Sequence, residues 1–168
     1  METESCFWEE RLNVTELKVF LKKHPNTVGV EVMMPDNNGI IRGKRVDIHE
    51  AESLFEKGLN FCAATPLLDS GGDVIDGLIL GSDDGDPDIF GHPVDGSIAP
   101  VPWLEKEMAQ VLLTLVDREG NAYPHEARNV LSRVVQKLAD DDLHATIAVE
   151  LEFYLYLDHD GLMVTPRH

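Results

Sequence analysis

The run "IAVELEFYLYLD", residues 147 to 158, alternates strictly. Ile147, Val149, Leu151, Phe153, Leu155 and Leu157 fall on one side of an extended chain. Thr146, Ala148, Glu150, Glu152, Tyr154, Tyr156 and Asp158 fall on the other. A period of two predicts a strand. Its first face is wholly apolar and needs another layer over it. Its second face carries two carboxylates, and same-face neighbours on a strand sit about 6.6–7 Å apart. That is too far for the pair to share a proton. Two readings fit. Glu150 and Glu152 are either the solvated side of an amphipathic edge strand or a pair that ligates neighbouring cations. Hard ions such as Mg²⁺ and Mn²⁺ take carboxylate oxygens. Two of them about 3.5–4 Å apart can hold the phosphates of a nucleotide. Like charges on one open face cost some stability, which a cation would offset.

Charge narrows the partners. Fourteen Lys+Arg against 31 Asp+Glu give a formal net charge of −17 over 168 residues. Nucleic acid and anionic membrane both need a basic face, so neither is expected. The balance fits either a site that gathers cations or a solvated acidic surface. With 43% hydrophobic and 27% charged residues, the composition is that of a soluble globular protein. Cys6 and Cys62 lie far apart and suggest neither a disulfide framework nor a zinc cluster. The opening "METESCFWEE" has no apolar core and is no secretory signal. No apolar run approaches the ~20 residues that span a bilayer. A cytoplasmic protein is the expectation.

Along the chain, "NVTELKVFLKKHPN" predicts a short helix with Leu17, Phe20 and Leu21 on one face, Asn13 or Thr15 as cap and Pro25 as stop. "VGVEVMMPD" and "IIRGKRV" flank the turn "DNNG", residues 36 to 39, and predict a β-hairpin. "DIHEAESLFEKG" predicts a helix with Asp47 at its start and Gly58 past its end. "LNFCAA" reads as a third strand. Residues 65 to 105 are rich in Gly, Asp and Pro, with no Lys or Arg between Gly58 and Glu105. They read as long excursions with little regular structure, and loops that long are functional or disordered. Leu67, Leu68, Val74, Ile75, Leu78, Ile79, Leu80, Ile89 and Phe90 argue that these loops pack. "MAQVLLTLVD" is a strand that turns at "REGNAYP". Pro124 then opens a helix whose apolar positions Ala127, Val130, Leu131, Val134, Val135 and Leu138 follow 3.6-residue spacing. The class is α+β. A small mixed sheet with a helix across it, of the β-grasp kind, occupies 14–117. A second unit, 118–168, begins near Arg118 to His125 and looks unfinished, because one helix and one strand cannot bury themselves.

Other chemistry-bearing stretches are less specific. "SDDGDPDIFG" carries Asp83, Asp84, Asp86 and Asp88, but no register supplies both the Gly and the Glu of a calcium loop. Acidic turns explain it. Asp69, in "LLDSGG", is either a turn carboxylate or a charge presented at a site. His125 reads as a surface residue. No phosphate-binding glycine loop occurs.

In order and content these segments resemble the N-terminal part of the glutamine synthetase family. "VELEFYL", 149 to 155, resembles that family's E-x-E-F-[FY]-L segment. "PVPWLEKEMAQVLLTLVDREGNAYPHEARNVL" resembles its link from a β-grasp domain into a catalytic domain, and the helix before the E-x-E strand has its counterpart too. "TPLLDSGG" and "LDSGGDVIDGL" are most similar to the γ-glutamylpolyamine synthetase branch, with its L-D-x-x-G segment. The resemblance covers residues 14 to 158. It implies an ATP-dependent ligase that phosphorylates the γ-carboxylate of glutamate and lets ammonia or an amine attack the acyl phosphate. Glu150 and Glu152 would each hold one of two Mg²⁺ or Mn²⁺ ions. Asp69 would lie on the amine side. Glutamine synthetases proper have a D-G-S-S-like segment where this chain has "CAATPLLD", which favours an amine larger than ammonia. Family catalytic domains run well past residue 168, so the chain would hold an N-terminal domain and a truncated catalytic domain, and would be inactive alone. Family enzymes are ring-shaped homo-oligomers, with the acidic loop as a subunit-facing wall. The competing expectations are a non-catalytic structural or assembly module of the same kind, and an unrelated acidic binding domain.

Overall fold

The computed structural model describes residues 14–75, 77, 85 and 87–164, without the side chains of 158 and 159. Its elements follow from local sequence. Helix α1 (Val14–Lys23) buries Leu17 and Phe20. Strands β1 (Gly29–Pro35) and β2 (Ile41–Asp47) form the expected antiparallel hairpin, with Val32 opposite Lys44 and Pro35 opposite Ile41. Gly39, at φ 79°, closes the turn between them. Helix α2 (Ile48–Lys57) is capped by Asp47, whose side chain accepts from the His49 amide at 2.9 Å. It stops at Gly58. Then come β3 (Leu59–Cys62), a 3₁₀ turn (Thr65–Leu67), β4 (Asp88–Pro93), β5 (Ala99–Val101) and β6 (Met108–Val116). Helix α3 (Ala127–Asp140), β7 (Leu157–His159) and β8 (Leu162–Val164) complete the order. The chain divides into two compact units, Met1–Val134 and Val135–His168. No helix among the described residues is long and apolar enough to cross a membrane.

The first unit is a mixed α+β structure. Its strands run in the order β2-β1-β6-β4-β3, with β5 also paired to β6. The β1–β6 pairing is parallel and the others are antiparallel. Ala109, Val111, Leu113 and Leu115 of β6 face one way into the core, with Val30, Val32 and Met34 of β1 beside them. Ala51, Leu54 and Phe55 of α2 cover this face. The two end strands also approach each other. Lys44 of β2 donates from Nζ to the Asn60 carbonyl of β3 at 3.0 Å and sits 4.7 Å over the Phe61 ring. One lysine reaches from one end of the strand order to the other, so the sheet is strongly curled.

Strands β4 and β5 lie where the sequence predicts little regular structure. "DIFGHP" hides a strand because Gly and Pro argue against one. Gly91 is there for space: a Cβ would stand 2.9 Å from Leu113 Cδ1 and 3.1 Å from Phe61 Cε2. Of the apolar residues expected to pack nearby, Ile89 is buried and Phe90 half-buried, whereas Val74 and Ile75 are exposed. Leu78, Ile79, Leu80, Asp83, Asp84, Asp86 and the cap candidate Asn13 lie outside the described residues.

Helix α3 starts three residues after Pro124; Val130 N bonds to the Glu126 carbonyl at 2.9 Å. Its apolar stripe is not covered: Val130, Leu131, Val134 and Val135 are 42 to 57% exposed, and Asn129 is the buried residue. In the second unit the strand predicted over 147–158 forms only at its end, as β7 paired with β8. Residues 143–156 carry no regular secondary structure. Ile147, Val149, Leu151, Phe153 and Leu155 are 73 to 81% exposed. The reason is physical: an extended segment becomes a strand only where neighbours take its N–H and C=O groups. β8 provides such a neighbour for three residues.

Adding a methyl at Gly91 should overpack the sheet. We expect Gly91→Ala to lower unfolding free energy by about 1–3 kcal/mol in urea denaturation, and an unchanged midpoint would contradict the packing described.

Candidate functional site

Asp69 follows the 3₁₀ turn, and its carboxylate folds the next residues around itself. Oδ1 accepts from the Gly71 amide at 2.8 Å and the Asp73 amide at 2.9 Å. The Asp69 amide bonds to the Asp73 carbonyl at 2.9 Å, and Gly72 N to the Asp69 carbonyl at 3.1 Å. The Asp73 amide holds the Asp69 carboxyl below its ordinary pKa, with help from the Gly71 and Gly72 amides and Arg42 against a smaller burial effect. Oδ2 takes no part in these bonds. Asp69 is thus a turn carboxylate whose Oδ1 holds the Gly71 and Asp73 amides.

The loop that carries it is tied to the β1–β2 turn. Asn37 N donates to the Pro66 carbonyl at 3.0 Å, Asn38 Nδ2 to the Leu68 carbonyl at 2.8 Å, and Arg42 Nη2 to the Asp69 carbonyl at 2.9 Å. Arg42 is itself held: its Nε and Nη2 both lie 2.9 Å from Asp36 Oδ2. The Asp36 side chain has no exposure, and its Oδ1 accepts from Asn38 N at 2.9 Å and Ile40 N at 2.8 Å. Burial pushes the Asp36 carboxyl up, but the Ile40 amide, Arg42 and the Asn38 amide outweigh it and leave the pKa lowered. Sequence reasoning found the turn and missed this pair. Its one local signal is Asp36, the first residue of an Asp-Asn-Asn-Gly turn.

Glu150 and Glu152 belong to the second unit and Asp69 to the first. Both glutamates are exposed, in the segment without regular secondary structure. Carboxylate oxygens suit Mg²⁺ or Mn²⁺, and Mg²⁺ keeps several waters beside the one or two carboxylates that hold it. Among the described residues no group of three or more His, Cys, Asp or Glu side chains is gathered to hold a metal.

A second polar cluster joins β6 to the start of α3. Glu126 has no exposure. Its Oε2 accepts from Thr114 Oγ1 at 3.1 Å and Leu115 N at 3.2 Å, while Oε1 is buried without a partner among the described residues. Asn129 Nδ2 donates to the Leu115 carbonyl at 2.8 Å and the Tyr123 carbonyl at 3.0 Å. Tyr123 donates its hydroxyl to the Ala63 carbonyl at 2.8 Å. Burial raises the Glu126 pKa, with Leu115 N and Thr114 opposing. His125 is half-buried, its ring edge-on to Tyr123 with centroids 5.5 Å apart.

No family model matches the chain. The fold is that of a crystal structure of a novel glutamine synthase homolog, with a TM-score of 0.59 and 20% identity over 68% of this chain and 27% of that one. Type-1 glutamine synthetase 2 of Dictyostelium discoideum is 28% identical over 132 residues, 78% of this chain and 25% of that protein. Fold and sequence point to one class: the chain is similar to proteins of glutamine synthetase type. Within it stands the γ-glutamylputrescine synthetase PuuA of Escherichia coli (strain K12), 41% identical over 154 residues. That match covers 90% of this chain and 32% of PuuA. The chain thus spans between a quarter and a third of the length of these two curated relatives.

The raised Glu126 pKa has a direction. The native state keeps a proton that the unfolded chain releases above its ordinary 4.5. This contribution to stability is complete below pH 4.5 and is lost as pH rises through the raised native value. Glu126→Gln keeps an acceptor for Thr114 and Leu115 and removes the titration. Urea denaturation at a series of pH values should show a shallower decline in that variant over this window, and parallel curves would contradict the assignment.

Proposed function

We propose that these residues are the N-terminal portion of an ATP-dependent ligase joining glutamate to an amine, or to ammonia, through a γ-glutamyl phosphate. The observation that carries this reading is the 41% identity over 90% of the chain with a γ-glutamylputrescine synthetase. In it, 14–117 is a β-grasp-like domain and 118–168 opens a catalytic domain whose remainder lies downstream. The protein works in the cytoplasm as a ring-shaped homo-oligomer, with the acidic loop turned toward a neighbouring subunit.

Glu150 and Glu152 each supply a carboxylate to one of two Mg²⁺ or Mn²⁺ ions, and downstream residues complete the shells. Bound there, such ions supply charge neutralisation for the phosphate being transferred. Asp69 acts on the amine side. Its Oδ1 is committed to the Gly71 and Asp73 amides. Its Oδ2 attracts a protonated amine by charge and hydrogen bonding, or accepts a proton from it on the way to attack. The low Asp69 pKa keeps this carboxylate ionised at neutral pH, which suits attraction better than proton storage.

A second reading is a non-catalytic assembly module of the same family. One observation favours it: the exposed apolar stripe of Val130, Leu131, Val134 and Val135 on α3 suits a contact surface. Metal titration separates the two readings. In the complete ligase, Glu150→Ala and Glu152→Ala should each weaken divalent-ion affinity by about tenfold or more, and unchanged affinity would favour the module. The 168 residues alone should show no glutamate-dependent phosphate release from ATP, and clear turnover would refute the proposal that this portion is inactive by itself.

A further inference from the structure

We infer that Arg42 is a positioning residue for Asp69: held by Asp36, it fixes where the loop of the amine-side carboxylate stands. The amine in that statement rests on the proposed ligase, while the clamp stands on geometry.

Three hydrogen bonds run from the β1–β2 turn and the start of β2 to residues 66–69, through Asn37 N, Asn38 Nδ2 and Arg42 Nη2. All three end on backbone carbonyls, so they set the path of the loop and leave the Asp69 side chain unoccupied by the turn. Arg42 reaches across 27 positions of sequence to do so. It cannot swing away cheaply, because Asp36 is buried and would lose its ionic partner among the described residues. A guanidinium suits this task, since one planar group serves Asp36 and the Asp69 carbonyl together. The glycines after Asp69 are the other half of the fit. Gly72 has φ +94°, and a Cβ on it would stand 3.1 Å from Arg42 Nη1. A Cβ on Gly71 would stand 3.2 Å from Asp69 Oδ1. Glycine at 71 and 72 thus fits close packing against the carboxylate and the guanidinium.

The test has two arms. In the 168-residue chain, Arg42→Met should speed hydrogen exchange at the 71–73 amides about tenfold, the size of losing one charge-assisted hydrogen bond, with β1 and β6 amides unchanged. Arg42→Lys, which keeps a charge beside Asp36 and guards against a variant that fails to fold, should fall between. In the complete ligase, Arg42→Lys should raise the amine KM about tenfold while leaving the glutamate and ATP KM values within about twofold. Unchanged exchange at 71–73 overturns the clamp whether or not the protein is a ligase. Faster exchange with all three KM values rising together overturns the positioning role. A complete wild-type protein without amine-dependent phosphate release overturns the ligase reading and the amine side of this inference, and exchange still decides the clamp.

Discussion

The parallel pairing of β1 with β6 is the constraint on which the first unit turns. Residues 29–33 lie beside 108–112 and run the same way. Parallel neighbours cannot be joined by a tight turn and need a crossover. Everything between them is that crossover: the second hairpin strand, α2, β3, the Asp69 loop, β4 and β5. The pairing holds Val30 and Val32 against Ala109 and Val111 in a core that excludes water. Within that crossover the loop after β3 meets the β1–β2 turn through Asn37, Asn38 and Arg42.

That meeting is where burial and charge work together. An isolated buried carboxylate is costly, but Asp36 has two amides and a guanidinium. Its partner then spends a further donor on the Asp69 backbone. An ion pair inside the unit thereby sets an external loop in a chain of net charge −17. The exposed acidic surface needs no such explanation, since exposed charges interact weakly. Glu126 is the contrasting case. It is buried with one oxygen unsatisfied among the described residues, and the same desolvation that lowers the stability of its charged form raises its pKa.

Local rules made much of this legible in sequence. The Leu17–Phe20–Leu21 face, the Asp47 cap with Gly58, the Asp-Asn-Asn-Gly turn and the "MAQVLLTLV" run each identify their own element. β4 was not legible, because Gly91 reads as a breaker until Leu113 and Phe61 are placed around it. The α3 stripe announces a helix but not what covers it, and it stays exposed. The alternation at 147–158 announces an extended segment, whereas a strand also needs partners, present only for its last residues. In the candidate site, Asp69 was visible as a turn carboxylate next to glycines. Arg42 was not, because its contact with the Asp69 backbone spans 27 positions and leaves no local pattern.

The proposed ligase needs Glu150 and Glu152 to face doubly charged ions. Anomalous diffraction from Mn²⁺-soaked crystals of the complete protein measures it most directly. Metal peaks are expected about 2.0–2.3 Å from the carboxylate oxygens of both residues. Well-ordered side chains at 150 and 152 that point to bulk solvent, with metal peaks only elsewhere or not at all, would contradict it.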